Sequence, residues 1–177
     1  MSHLIDRMIR AAKLDIRLYE EVEADKGAMR QAMGVVVLSS LGAGIGAIGR
    51  GGLSGIVGGS VFALIAWFVW AYLTYLIGTK LLPEGQTQSS PGELLRTIGF
   101  SSSPGVIRVL GIIPFLSGIV FLAASIWMLV AMVIAVRQAL DYRSTWRAAG
   151  VCLIGWAVQT IIYMLLFSLL GVPGKPV

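Results

Sequence analysis

Very few side chains in this sequence have the chemistry that a catalytic or metal site requires. His3 is the single histidine and stands near the chain start, and Cys152, the single cysteine, lies in an apolar run. Metal-ligand spacings, a Ser/His/Asp set and a phosphate-binding loop are missing from the sequence. We therefore predict no catalytic residue, no metal and no cofactor. The polar groups that remain as candidates are Glu93, Arg96, Arg108 and Asp141.

Two of these candidates lie in a polar segment, Pro91 to Pro104, that separates two apolar halves of the chain. Ser90 is placed to cap a short helix, and Glu93 follows three residues later. Glu93 and Arg96 are one helical turn apart, which predicts a solvated ion pair worth roughly 0.2–0.5 kcal/mol. The alternative interpretation is that they contact a partner or a lipid headgroup.

Arg108 follows this segment in an apolar stretch. We expect its long side chain to extend to the inner headgroups. An ion pair with Glu93 or with a lipid phosphate is the alternative. Glu93, Arg96 and Arg108, together with the N-terminal helix, are therefore the predicted interaction residues.

Composition indicates an integral membrane protein. The 177 residues are 56% hydrophobic and 13% charged, with a mean hydropathy of +0.83, whereas soluble proteins average about 25% charged residues. The net charge of +5 is explained by membrane topology, so no nucleic-acid partner is expected. Charged residues from Asp6 to Arg17 argue against a cleavable signal peptide.

Apolar runs predict an all-α, polytopic fold with five transmembrane helices after an amphipathic N-terminal helix. Residues 2–25 repeat apolar positions at three- and four-residue spacing, as an amphipathic helix does. The third span is short and broken by glycine and proline, and as an α-helix its ten residues would cover only about 15 Å. The predicted divisions are 1–30 (N-terminal helix), 31–171 (membrane domain) and 172–177 (tail), and the predicted spans are 31–48, 56–77, 104–113, 115–136 and 149–170.

The distribution of Lys and Arg favours five spans over four, because inside loops carry the positive excess. Five spans place only Arg50 and Lys175 outside. The other 12 basic residues are then inside: Arg7, Arg10, Lys13, Arg17, Lys26, Arg30, Lys80, Arg96, Arg108, Arg137, Arg143 and Arg147. A single crossing between Pro104 and Leu140 would move Arg137, Arg143 and Arg147 to the outside and make the distribution less asymmetric. The N-terminus is therefore predicted inside and the C-terminus outside.

Glycines crowd the end of the first span and the start of the second. The run Gly44, Gly46, Gly49 matches a dinucleotide-binding pattern, but it lies in an apolar block without the strand that such a site requires. GxxxG pairs instead indicate close helix packing, either within one chain or between two. The pairs are Gly42 with Gly46 and Gly55 with Gly59.

Three stretches resemble the Yip1 domain family: GELLRTIGFSSSPGVIRVLGIIP, IWMLVAMVIAVRQAL and WRAAGVCLIGW. The resemblance covers about residues 30–170 and implies five membrane helices with a cytoplasmic N-terminus. The N-terminal region is similar to prokaryotic members, which implies the prokaryotic cytoplasmic (inner) membrane. Eukaryotic members bind Rab-type GTPases in vesicle traffic, but their acidic-leucine-glycine-proline signature is missing here, so that role is not expected.

These observations favour a non-enzymatic membrane scaffold or accessory subunit, surrounded by membrane lipid and joined to a protein partner or a larger membrane complex. Homo-oligomerisation stays open. The alternative is a scramblase-like or transporter-like conduit for lipid or small solutes, because broken helices often line binding sites. A membrane enzyme is the third hypothesis, and it would depend on the four polar candidates above.

Overall fold

The computed structural model of the chain describes residues 2–169, except for the side chains of residues 2, 48–51, 53, 54, 114, 166, 167 and 169. The predicted tail 172–177, Lys175 and the side chain of Arg50 lie outside the described part. Regular structure from 2 to 169 is helical throughout. The α-helices are α1 (Ser2–Ala12), α2 (Ile16–Ala24), α3 (Met29–Gly46), α4 (Ile48–Leu76), α5 (Pro91–Ser101), α6 (Ser117–Ala139) and α7 (Thr145–Leu169).

Four of the helices are long and apolar enough to cross a membrane. Exposed Ile, Leu, Val and Phe side chains cover their outer faces, among them Phe62, Leu122 and Leu153. Such a surface is stable against lipid rather than water. The membrane-length segments are Lys26–Gly46, Gly55–Leu81, Ser117–Ala139 and Thr145–Leu165.

The N-terminal region forms two helices, so the prediction of one continuous helix over residues 2–25 is wrong. Leu14 has a φ of 62°, in the left-handed region that ends helices. Asp15 then caps α2 by accepting a hydrogen bond from the amide of Arg17 at 3.0 Å. The two helices fold back on each other as a hairpin. The apolar periodicity of the sequence continues across this break and therefore does not reveal it.

A 3₁₀ helix, Ser103–Ile112, follows α5 directly where a short α-helix was predicted over 104–113. Pro104 lacks a backbone N–H, and Gly105 and Gly111 favour the α-helix weakly. A 3₁₀ helix rises about 2.0 Å per residue, so ten residues cover about 20 Å rather than 15 Å. We call Pro91–Ile112 the third segment, because α5 and the 3₁₀ helix continue one another.

The third segment runs parallel to α3. A Cβ atom on Gly99 would lie 2.7 Å from the Ala32 Cβ, and further along Gly105 meets Ser39. Gly46, at the end of α3, lies against the backbone of Arg108. The segment therefore advances along α3 from near its first turn to its last.

The helix α4 runs back along α3 after a kink. Gly52 carries this kink with φ 58° and ψ −164°, a backbone conformation that favours glycine. Beyond it, Ser40 on α3 donates to the hydroxyl of Ser60 on α4 at 3.0 Å. The two helices are thus antiparallel neighbours.

The residues that follow α4 contact the loop between α6 and α7. The Tyr142 hydroxyl lies 2.8 Å from the carbonyl oxygen of Gly78 and 2.7 Å from that of Leu82. Burial raises the pKa of Tyr142 to about 12, and its single O–H proton can serve one of the two carbonyl oxygens at a time. The side chain of Gln138, near the end of α6, donates to Glu20 on α2. These loops and the N-terminal hairpin therefore lie at the same end of the molecule.

Candidate functional site

The N-terminal hairpin of α1 and α2 is held together by ion pairs across its turn. Arg7 contacts Glu21 and Asp25, each at 2.9 Å, and Arg10 contacts Glu21 at 2.7 Å and Asp15 at 2.9 Å. The hydrogen bond from Arg10 lowers the pKa of the Glu21 and Asp15 carboxyl groups. A single exposed ion pair contributes little to stability, about 0.2–1 kcal/mol. Here both arginines share Glu21, and such a network fixes the position of α1 against α2 better than one isolated pair would.

Arg96 attaches this hairpin to the membrane domain. Its side chain is 6% exposed, and its Nε donates to the carbonyl oxygen of Val22 at 2.8 Å. Its Nη2 donates to the carbonyl oxygen of Glu23. A guanidinium at the last carbonyls of a helix satisfies unpaired acceptors and complements the helix dipole. The predicted solvated pair with Glu93 is not among the contacts of the described residues, because Arg96 is buried against α2.

Glu93 caps its own helix instead. The amide of Ser90 donates to Glu93 Oε2 at 2.7 Å, and the amide of Glu93 donates to Ser90 Oγ at 3.3 Å. This is the capping box that the sequence predicted. Glu93 and Arg96 therefore both orient the hairpin end of the third segment.

Glu23 is the acidic side chain most affected by this packing. Burial raises its pKa to about 7, and the nearby carboxylates of Asp141 and Glu93 add to the increase. Arg96 acts in the opposite direction, and Glu20 adds a smaller increase. Glu23 therefore changes charge near neutral pH at the junction of hairpin and membrane domain.

The hairpin keeps part of its apolar face uncovered. Leu18, Tyr19 and Val22 of α2 are fully buried. Three isoleucines stay exposed: Ile5 at 59%, Ile9 at 50% and Ile16 at 45%. We call these three exposed side chains of the hairpin the isoleucine face.

Trp127 fixes the position of the isoleucine face. The indole N–H of Trp127, about midway along α6, donates to the carbonyl oxygen of Ala12 at 2.7 Å. This bond satisfies one of the last carbonyls of α1. The end of α1 is thus held against the middle of α6.

Arg108 lies at the level of Gly46, at the end of α3. Its Nη2 donates to Ser125 Oγ at 3.0 Å, and its guanidinium lies 5.7 Å from the centre of the Phe121 ring. The 3₁₀ helix places Arg108 at the end of α3 that lies away from Arg96, and its extension to the inner headgroups stays a prediction. The structure brings Glu93 and Arg96 together at the hairpin but not Arg108.

The two predicted GxxxG pairs differ in their surroundings. A Cβ on Gly42 would lie 2.8 Å from the carbonyl oxygen of Val106. A Cβ on Gly46 would clash with the carbonyl oxygen of Arg108. This pair packs the third segment against α3 within one chain. Nothing described lies within 4 Å of such an atom on Gly55 or Gly59.

Two polar side chains in the spans form hydrogen bonds within the protein. Trp67 is 9% exposed and donates to the carbonyl oxygen of Leu95 at 3.1 Å. Gln159 donates to Tyr163 on its own helix α7. Sequence spacing could have suggested the second contact, since four residues separate the pair.

Long apolar helices, lipid-type outer surfaces and a hairpin at one end define a polytopic α-helical membrane protein. Residues 26–167, most of the chain, match the family model of the Yip1 domain. The chain therefore belongs to the Yip1 domain family, as its sequence resemblance predicted. No curated protein and no solved structure matches it significantly.

Proposed function

We propose that this protein is a non-enzymatic membrane scaffold or accessory subunit that docks a protein partner on the isoleucine face. The observation that carries the proposal is the exposure of Ile5, Ile9 and Ile16 on helices that are otherwise fixed. Arg96 and Trp127 hold the hairpin, so binding would not require it to be ordered first, and this lowers the entropic cost of association. Glu93 contributes by capping the segment that carries Arg96.

The proposed topology has five crossings, with the N-terminus inside and the C-terminus outside. The third segment packs along α3 from Ala32 to Gly46. Because α3 is long enough to cross the membrane, this packing supports a fifth crossing by the third segment. Arg108 then belongs to a span rather than to an inside loop, and the charge count becomes 11 against 2. Reporters at the two termini test this topology, since five crossings place them on opposite sides and four place them on the same side.

The N-terminal sequence similarity to prokaryotic members supports a location in the prokaryotic cytoplasmic membrane. Gentle extraction from that membrane, size separation and mass spectrometry test the docking proposal. A partner that co-migrates at fixed stoichiometry is the expected result. Migration as a monomer, or as a homo-oligomer alone, would contradict it.

Matched variants connect this experiment to the isoleucine face. The double variant Ile5→Gln/Ile9→Gln should lose the partner while it still inserts and migrates as a folded protein. The control, Asp6→Asn/Lys13→Gln, changes two exposed residues elsewhere on the hairpin and should keep the partner. Equal retention by both double variants would show that the isoleucine face is not the docking site.

A further inference from the structure

A cavity of about 570 Å³ opens between α3, α4, the third segment and α6. Its wall is mainly apolar, formed by small and aromatic side chains. Polar groups also reach it, notably Arg108, Ser40 and Gln159. A mainly apolar pocket with a few converging polar groups is the usual form of a ligand site.

The charge of Arg108 is not neutralised by the contacts described for it. Its guanidinium has five N–H groups, and Ser125 accepts from one of them. Its Nε is buried without an acceptor among the described residues, and so is the indole nitrogen of Trp70, which also lines the cavity. The wall therefore offers donors without matching acceptors.

Among the described residues no carboxylate pairs with Arg108, and Asp15 and Glu21 of the hairpin pair with Arg10. After Asp25 the acidic residues are Glu84, Glu93 and Asp141. All three lie outside the membrane-length helices and at the hairpin end of the molecule, where Glu84 and Glu93 cap or join loops. Arg108 lies beside Ser125, about 12 Å along α6 from its first residue. A charge at such depth costs several kcal/mol unless an anion accompanies it.

A second cavity, of about 890 Å³, adjoins the first along α6 and α7. Trp70, Met132 and Gln159 line both cavities. The second is lined almost entirely by apolar and aromatic side chains and is open to the surroundings of the helices. It has the character of a groove for a hydrocarbon chain.

We propose that the two cavities together hold one anionic phospholipid, with its phosphate at Arg108 and an acyl chain in the α6–α7 groove. Charge complementarity selects this occupant, because a cation in an apolar wall requires an anion that itself enters hydrocarbon. Arginine binds phosphate through two parallel hydrogen bonds. The bound lipid is a resident ligand, and the inference is independent of the docking proposal.

The test is native mass spectrometry of the full chain in detergent, with phosphatidylglycerol, phosphatidylcholine of the same chains, or inorganic phosphate added. The wild type should retain one phosphatidylglycerol per chain. Arg108→Gln should weaken that binding about tenfold or more, as loss of charged hydrogen bonds does. Arg108→Lys keeps the positive charge and should keep part of the preference for phosphatidylglycerol over phosphatidylcholine. The control Arg143→Gln removes an exposed charge outside the cavities and should bind like the wild type.

A groove variant separates the chain site from the phosphate site. Gly150 lines the α6–α7 groove, and a Cβ there would meet nothing within 4 Å, so Gly150→Leu should fold and fill the groove. It should reduce phosphatidylglycerol binding even if Arg108→Gln fails to fold. Equal binding of both lipids, unchanged binding in Gly150→Leu, or displacement of the lipid by inorganic phosphate would each overturn the proposal.

Discussion

Arg96 on α5 donates from its Nε to the carbonyl oxygen of Val22 at the end of α2, at a distance of 2.8 Å. This contact joins the N-terminal hairpin to the membrane domain through a buried charge that receives no carboxylate from the contacts described for it. The helix dipole of α2 and two otherwise unpaired carbonyl groups take the place of an acidic partner. The hairpin is thereby part of the folded domain rather than an independent appendage.

Replacing Arg96 should therefore release the hairpin. Arg96→Gln leaves the carbonyl groups of Val22 and Glu23 without their donor and should destabilise the packing of α2 by about 2–4 kcal/mol. Hydrogen exchange of the α2 amides should accelerate correspondingly, because local opening controls their exchange. The control is Arg17→Gln, which changes an exposed residue of α2. Equal exchange in both variants would show that Arg96 does not hold the hairpin.

Trp127 should hold α1 in the same way, but more weakly. Trp127→Phe removes the hydrogen bond to Ala12 and keeps most of the packing, at a cost of about 1 kcal/mol. A spin label at Ile5 should become more mobile in this variant. Trp146→Phe is the matched control, because Trp146 is 88% exposed and has no described hydrogen bond. If the label is equally mobile in both, the bond to Ala12 does not position α1.

Features encoded by neighbouring residues were predictable from the sequence. The capping box of Ser90 and Glu93 depends on a three-residue spacing, and the long apolar helices depend on composition within a window. The break at Leu14 was missed because the apolar period continues through it. Asp15, a residue type that favours helix N-caps, was the available signal.

Contacts with distant backbone atoms could not be predicted. Arg96 binds carbonyl groups more than 70 residues away, and carbonyl groups carry no side-chain signature. Local spacing therefore favoured Glu93 as its partner. The 3₁₀ helix was missed for a related reason: Pro104 and the glycines indicated a break but not the larger rise per residue.

The packing of α3 against the third segment predicts different outcomes for the two GxxxG pairs. Gly42→Ala places a methyl group 2.8 Å from the Val106 carbonyl oxygen, and overpacking of this kind costs about 1–3 kcal/mol. Gly59→Ala meets open space and should be neutral, or stabilising by up to about 1 kcal/mol, because alanine favours a helix. Thermal unfolding in detergent measures both.

Gly59→Leu separates the two interpretations of the open pair. If Gly55 and Gly59 pack against a second copy, this variant should dissociate an oligomer that Gly55→Ala leaves intact. A wild type that is monomeric in the same detergent would exclude packing between two copies. A destabilised Gly59→Ala would contradict the open surroundings of the pair.

Glu23 predicts how stability depends on pH. Its folded-state pKa of about 7 lies above the ordinary value of 4.5, so the folded protein binds the proton more tightly than the unfolded chain. Its contribution to stability is therefore complete below about pH 4.5 and is lost as the pH rises towards 7. Asp15, Glu21 and Asp25 have lowered pKa values, so they act in the opposite direction, but at lower pH.

The variant Glu23→Gln should isolate this effect. It should melt at a higher temperature than the wild type at pH 8, and the difference should be smaller at pH 5.5, because glutamine mimics the protonated carboxyl group that the wild type regains as the pH falls. Arg96 still binds the backbone carbonyl of residue 23 in this variant, so the hairpin stays attached.

Asp6→Asn, an exposed change on α1, controls for the loss of one negative charge. A wild type whose melting temperature is constant between pH 5.5 and 8, or a Glu23→Gln variant that is less stable at pH 8, would show that Glu23 is not buried among Asp141 and Glu93 as described.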